Sequence, residues 1–208
     1  MAQLHRCLRY LRLTALARFF DSYGVQSSIS SADESPHGII DHENIIVFGT
    51  PSSMADFQSD LDRLSYRLAP YPFERYVVDT HQPHGSPGEF PAVQESASRT
   101  VAPGIIALLP RGSEGGRILI VQGLQTMALI SYLTSDEGMS EITRAQAKQG
   151  NNYFEAVVLS EVNAGNPIQS RMVAFRTYKG SHTSNQIADA SPSPVAEDQN
   201  FFIDSANH

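Results

Sequence analysis

One cysteine, Cys7, is all the sequence contains, so an internal disulfide is excluded and a reducing, cytoplasmic setting is expected. No array of Cys and His has zinc-ligand spacing, and neither a metal nor a cofactor is expected. Basic residues are outnumbered, 15 Lys and Arg against 22 Asp and Glu, and apart from a group near the start they are scattered. A net charge of −7 with that scatter argues against a nucleic-acid surface. Long apolar runs are missing too. Arg6, Arg9, Arg12 and Arg18 interrupt the leucines and phenylalanines of Met1–Phe20, so neither a secretory core nor a membrane span is expected there.

Catalytic signatures are lacking in the same way. No G-x-G-x-x-G follows a hydrophobic strand, Gly-Thr-Pro-Ser-Ser lacks the lysine of a P-loop, and the G-x-S-x-G turn of a hydrolase does not occur. Ser52 or Ser53 could join His81 or His84 and Asp79 in a charge relay only in a fold that nothing in the sequence indicates. His81 and His84, three apart beside Asp79 and ahead of Glu89, have the side chains of a metal site. Gln82-Pro83 between them opposes a helix, and the pair reads as structural or solvated.

What is present is a globular pattern. With 208 residues and 41% hydrophobic content the chain suffices for one core, and residues 1–180 are expected to form a single α/β domain. From Ser181 onward four acids stand against no Lys or Arg, so 181–208 is expected to be a disordered acidic tail. Leu4, Leu8, Leu11, Ala15 and Phe19 recur at helical spacing and predict a first helix, with Cys7 as a small core residue, ended by Gly24 and followed by a strand at Val25–Ser30.

The β-branched run Ile45-Ile46-Val47-Phe48 reads as a buried strand. Met54, Phe57, Leu61, Leu64 and Leu68 share a helical face beyond the turn Gly49–Ser53. Tyr76–Val78 reads as a strand and His81–Arg99 as a surface loop. Ile105–Leu109 and Ile118–Val121 read as neighbouring strands, after which Gly123–Thr126 opens a helix over Met127–Leu133. Ser135, Asp136 and Glu137 cap the start of another helix that ends near Gly150. Phe154–Glu161 and Ile168–Tyr178, joined by the turn residues Asn163–Pro167, read as an antiparallel hairpin at a sheet edge, with Glu155 expected to face water. Together these elements predict a Rossmann-like three-layer α/β sandwich, its sheet mostly parallel with the C-terminal antiparallel hairpin at one edge.

In such a sheet ligands bind beyond the carboxyl ends of the strands. Gly49, Thr50, Ser52 and Ser53 at one turn and Gly123, Gln125 and Thr126 at the other are therefore candidate ligand-binding residues, with His84 and Glu89 supplied by the long loop. The alternative is that the glycines serve tight turns and the hydroxyls cap helices.

Four stretches, Asn44–Ser53 (NIIVFGTPSS), Pro87-Gly88-Glu89, Arg117–Thr126 (RILIVQGLQT) and Phe154-Glu155 with Val157-Val158, resemble an uncharacterised α/β domain of bacterial proteins that follows a winged-helix DNA-binding segment or a membrane anchor. The resemblance spans roughly residues 10 to 178 and implies a sensory or regulatory role without catalytic residues. This chain departs from the commoner pattern, in which an Arg-Asn-Pro-like turn stands where Thr50-Pro51-Ser52-Ser53 stand here. The segment before Val25 is too short for a winged helix, so a detached domain or a fragment is expected and DNA binding is not carried over. The expected function is a non-catalytic regulatory or ligand-sensing domain that takes a small molecule or another protein domain. The alternatives are an enzyme acting on a phosphorylated or carboxylated small molecule, with His84 or Glu89 as acid or base, and a homodimer formed through the hairpin 154–178.

Overall fold

The computed structural model describes residues 44–69, 75–82, 88–111 and 116–178. The expected first helix with Cys7, the strand at 25–30, His84 and the acidic tail lie outside the described residues. The strands are β1 (Asn44–Gly49), β2 (Tyr66–Leu68), β3 (Tyr76–Asp79), β4 (Glu89–Pro91), β5 (Val93–Gln94), β6 (Arg99–Arg111), β7 (Gly116–Gly123), β8 (Phe154–Asn163) and β9 (Asn166–Thr177). The helices are α1 (Gln58–Leu61), α2 (Thr126–Leu133) and α3 (Asp136–Gln149), with 3-10 turns at Pro51–Ser53 and Ala55–Phe57.

The central sheet runs β1-β7-β6-β8-β9, with β5 also pairing β6. Only β1 with β7 is parallel among the described pairs; β5–β6, β6–β7, β6–β8 and β8–β9 are antiparallel. The mostly parallel, Rossmann-like sandwich expected from the sequence is therefore wrong. Strand takes 50% of the described residues against 26% helix, the main sheet is mixed, and a second sheet, β2-β3-β4, is wholly antiparallel. The reason is the length of the connections. A parallel neighbour needs a crossover of about a dozen residues or more, whereas β6 and β7 are separated by residues 112–115 alone and β8 and β9 by Ala164-Gly165.

The hairpin at the C-terminal edge forms as expected, and α3 starts at Ser135, whose Oγ accepts the Gly138 N–H at 3.1 Å, and ends at Gly150 in the left-handed region. The helix expected over Met54–Leu68 does not form. Met54, Phe57, Leu61 and Leu64 are buried as their spacing requires, but short helical turns deliver them, and the chain is already extended at Tyr66, where Tyr66 and Leu68 point inward and Arg67 outward. The loop expected over His81–Arg99 also contains structure, since β4 and β5 lie within it.

Each face of the central sheet is covered differently. On one, Ile106, Val121, Phe154, Ala156 and Val158 pack against Leu129, Ile130 and Tyr132 of α2 and Ile142 of α3. On the other, Val47, Ile105, Ala107, Ile118, Ile120 and Val157 meet Met54, Phe57, Leu61 and Leu64 and the small sheet's Tyr66, Leu68 and Val77. At roughly 1.5–3 kcal/mol per fully buried aliphatic side chain, these two clusters are the main source of stability. The two prolines of the long strand β6 stand where a neighbour is missing. The ladder beside Pro103 breaks between Val101, held by β5, and Gly104, held by β7; Pro110 lies past the last β8 partner, at Leu108.

Candidate functional site

The parallel register pairs Phe48 with Val121 and Gly49 with Gln122, so the turns 49–53 and 123–126 leave the same rim of the sheet. At the first turn, Ser53 Oγ accepts the Thr50 N–H at 3.0 Å and donates to the Thr50 carbonyl at 2.9 Å, while Thr50 Oγ1 and Ser52 Oγ lie 2.9 Å apart. A Cβ at Gly49 would stand 2.3 Å from Ser53 Oγ, so the inward-folded serine requires glycine there. At the second turn, Thr126 Oγ1 donates to the Gly123 carbonyl at 2.7 Å, and the Gln125 carbonyl accepts the N–H groups of Ala128 and Leu129. A Cβ at Gly123 would meet Gly104 Cα at 3.1 Å and Leu129 Cδ1 at 3.2 Å. This second glycine serves the close approach of α2 to the sheet.

Gly49, Thr50, Ser52 and Ser53 thus share a rim with Gly123, Gln125 and Thr126, but the turn hydroxyls bond within their own turns, as helix caps do. Glu89 is not with them. It is exposed on β4, opposite Val78 in the other sheet. The relay of Ser52 or Ser53 with His81 and Asp79 is not assembled among the described residues either, because Ser53 Oγ bonds Thr50 and Asp79 faces Arg176, and the alternative with His84 lies outside the described residues. Among the described residues no three of His, Cys, Asp and Glu gather to hold a metal ion.

The polar residues that the fold does bring together are others. Glu155, expected to face water, is 1% exposed. Its Oε2 accepts the N–H groups of Ser65 and Tyr66 at 2.7 and 3.0 Å, and its Oε1 accepts the Ser65 hydroxyl at 3.1 Å. The expectation failed because β8 is second from the edge and β2 lies over it. Beside Glu155, Arg176 grips Asp79 with two donors, at 2.7 and 3.1 Å, and lays its guanidinium 4.9 Å from the centre of the Tyr66 ring. Burial works to raise the Asp79 carboxyl, but the Arg176 fork and the His81 N–H outweigh it and hold it below the usual aspartate range. Burial, joined by the Asp79 and Glu155 carboxylates and opposed by Arg176, pushes the Tyr66 phenol up. His81 Nδ1 lies 3.2 Å from Arg176 Nη1. Arginine can only donate, so in this contact the ring nitrogen is the acceptor. The sequence signal for this cluster was a carboxylate inside the apolar run at 154–158; Arg176 carried none.

A concavity of about 700 Å³ opens between the end of α2, the start of α3 and the first half of β9, lined by Ile130, Ser131, Thr134, Glu137, Ile168 and Arg171 among others. Neither rim turn lines it, and no local sequence pattern pointed to it. No helix among the described residues is long and apolar enough to cross a membrane. Set against known proteins, the chain matches no protein-family model, no curated protein and no solved structure.

Proposed function

We propose that this chain is a cytoplasmic regulatory domain that senses a small polar molecule in the groove between α2, α3 and β9, without catalysis, cofactor or nucleic acid. The groove carries the reading. Its walls mix Ile130, Tyr132 and Ile168 with the charged Glu137 and Arg171 and with the hydroxyls of Ser131, Thr134 and Ser170, which donate to Met127, Ile130 and Ser160 and so offer a ligand only their acceptor lone pairs. The buried ionic groups fit the same reading, since Glu155, Asp79 and Arg176 are engaged in joining the two sheets.

The test is isothermal titration of the whole chain against nucleotides, sugars and small carboxylic acids, repeated on Ser131→Trp, which fills the groove from an exposed position on α2. Heat with one class, weakened about tenfold or more by the substitution, is the expected result. No heat with any class from a folded sample overturns it.

A further inference from the structure

Among the described residues, the last strand of the central sheet, β9, is guarded along only half of its outer side. In its second half α3 supplies the missing partners: Glu141 Oε2 accepts the Met172 N–H at 3.3 Å, and Gln149 Oε1 accepts the Thr177 N–H at 3.1 Å. Glu141 is held for this by the Tyr132 hydroxyl at 2.6 Å, a phenol that burial and the Glu141 carboxylate push up, so that it stays a donor. Side chains from a helix thereby close the edge.

From Asn166 to Arg171 the situation reverses. This stretch hydrogen-bonds only to β8 among the described residues, through the ladder and through Gln169 to Glu161 and Ser170 to Ser160. Ile168, in the middle of it, is 53% exposed, the most exposed of the large hydrophobic side chains described. An unpaired, partly apolar edge is a template for another strand.

We infer that this stretch pairs with the same stretch of a second copy of the chain, antiparallel and about a two-fold axis. Two observations favour a second copy over an unrelated extended peptide. The first is charge. Glu137 and Arg171 line the same groove beside the edge, and among the described residues neither forms an ion pair. A two-fold contact turns each copy's Arg171 toward the other's groove, and a surface carrying both signs is complementary to itself. The second is length. Pro167 has no N–H to give, the ladder to β8 slips by one residue at Ile168, and α3 closes the edge from Met172, so the regular edge is Gln169–Arg171, too short to clasp a long peptide and matched in extent by its own copy. The contact is therefore small and the dimer reversible. This inference does not depend on the ligand-sensing reading, because it is tested with no ligand present.

The experiment is sedimentation equilibrium on the whole chain from low micromolar to submillimolar concentration, with a circular-dichroism melt on every variant to show that it is folded. The expected result is a monomer–dimer equilibrium whose dissociation constant rises about tenfold or more in Ile168→Lys. Arg171→Glu should weaken the dimer severalfold, and the double variant Arg171→Glu with Glu137→Arg should recover most of that loss, the signature of a coupled pair. A monomer at every concentration overturns the inference. So does a dimer indifferent to Ile168→Lys, or a double variant no tighter than Arg171→Glu alone.

Discussion

The two faces of the central sheet are sealed by different means. Against α2 and α3 the contact over the middle of the sheet is apolar, built on Leu129, Ile130 and Ile142, and polar acceptors from α3, Glu141 and Gln149, reach only the edge strand β9. Against the small sheet, apolar packing is joined by two ionic clasps, Glu155 on Ser65 and Tyr66 and Arg176 on Asp79. A helix satisfies its own backbone except at its ends, so hydrophobic contact is enough to dock it. A three-residue strand such as β2 enters from a turn with N–H groups that have no partner in its own short ladder, and burying them demands an acceptor. Glu155 is that acceptor. The buried carboxylates here follow from layering a small sheet on a large one.

This contrast can be broken from either side. The largest effect is expected from Glu155→Leu, which strands two buried amide donors and should lower unfolding free energy by roughly 3–5 kcal/mol in a denaturant titration; a loss under about 1 kcal/mol would mean that β2 does not need the carboxylate. Arg176→Met comes next. It leaves Asp79 buried with only the His81 N–H, and because Arg176 keeps 32% of its side chain in water the cost should be about 2–3 kcal/mol at neutral pH. Its pH dependence sharpens the point. Asp79 titrates below its ordinary value in the folded chain, so its contribution is complete above about pH 4 and is lost as pH falls through the depressed value. Subtracting the stability profile of the variant from that of the parent should reveal this acid-side loss, and superimposable profiles would refute it. On the helical face, Gly104→Ala puts a Cβ 2.4 Å from Leu129 Cδ1 and 3.0 Å from the Gln122 carbonyl. Because the leucine tip can shift, a smaller loss of about 1–2 kcal/mol is expected, measured as a lowered melting temperature.

Much of the core was legible from residue spacing, and the sheet's direction was not. Met54, Phe57, Leu61 and Leu64 were correctly marked for burial by a helical period. Short turns can present the same spacing, and the two-residue alternation of Tyr66-Arg67-Leu68 was hidden beneath it. The rim was legible because a glycine and hydroxyls after a hydrophobic strand nearly always mark a strand end. What those hydroxyls do was not legible, since Ser53 and Thr126 look the same in sequence whether they meet a ligand or a carbonyl of their own turn. The groove escaped notice because its walls come from segments some 35 residues apart, near Ser131 and near Ile168, whose adjacency is set by β8 returning beside β6.

The clasps also bear on how the chain folds. Glu155 reaches Ser65 across 90 positions of sequence, and Arg176 reaches Asp79 across 97. Closing loops of that length is slow and comes late. The small sheet is made early during synthesis, yet its entering strand gains an acceptor only after the final hairpin has emerged. Until then the Ser65 and Tyr66 amides lack the acceptor that the finished fold gives them, and chains stopped before Phe154 are expected to bind a chaperone more than the full-length chain does.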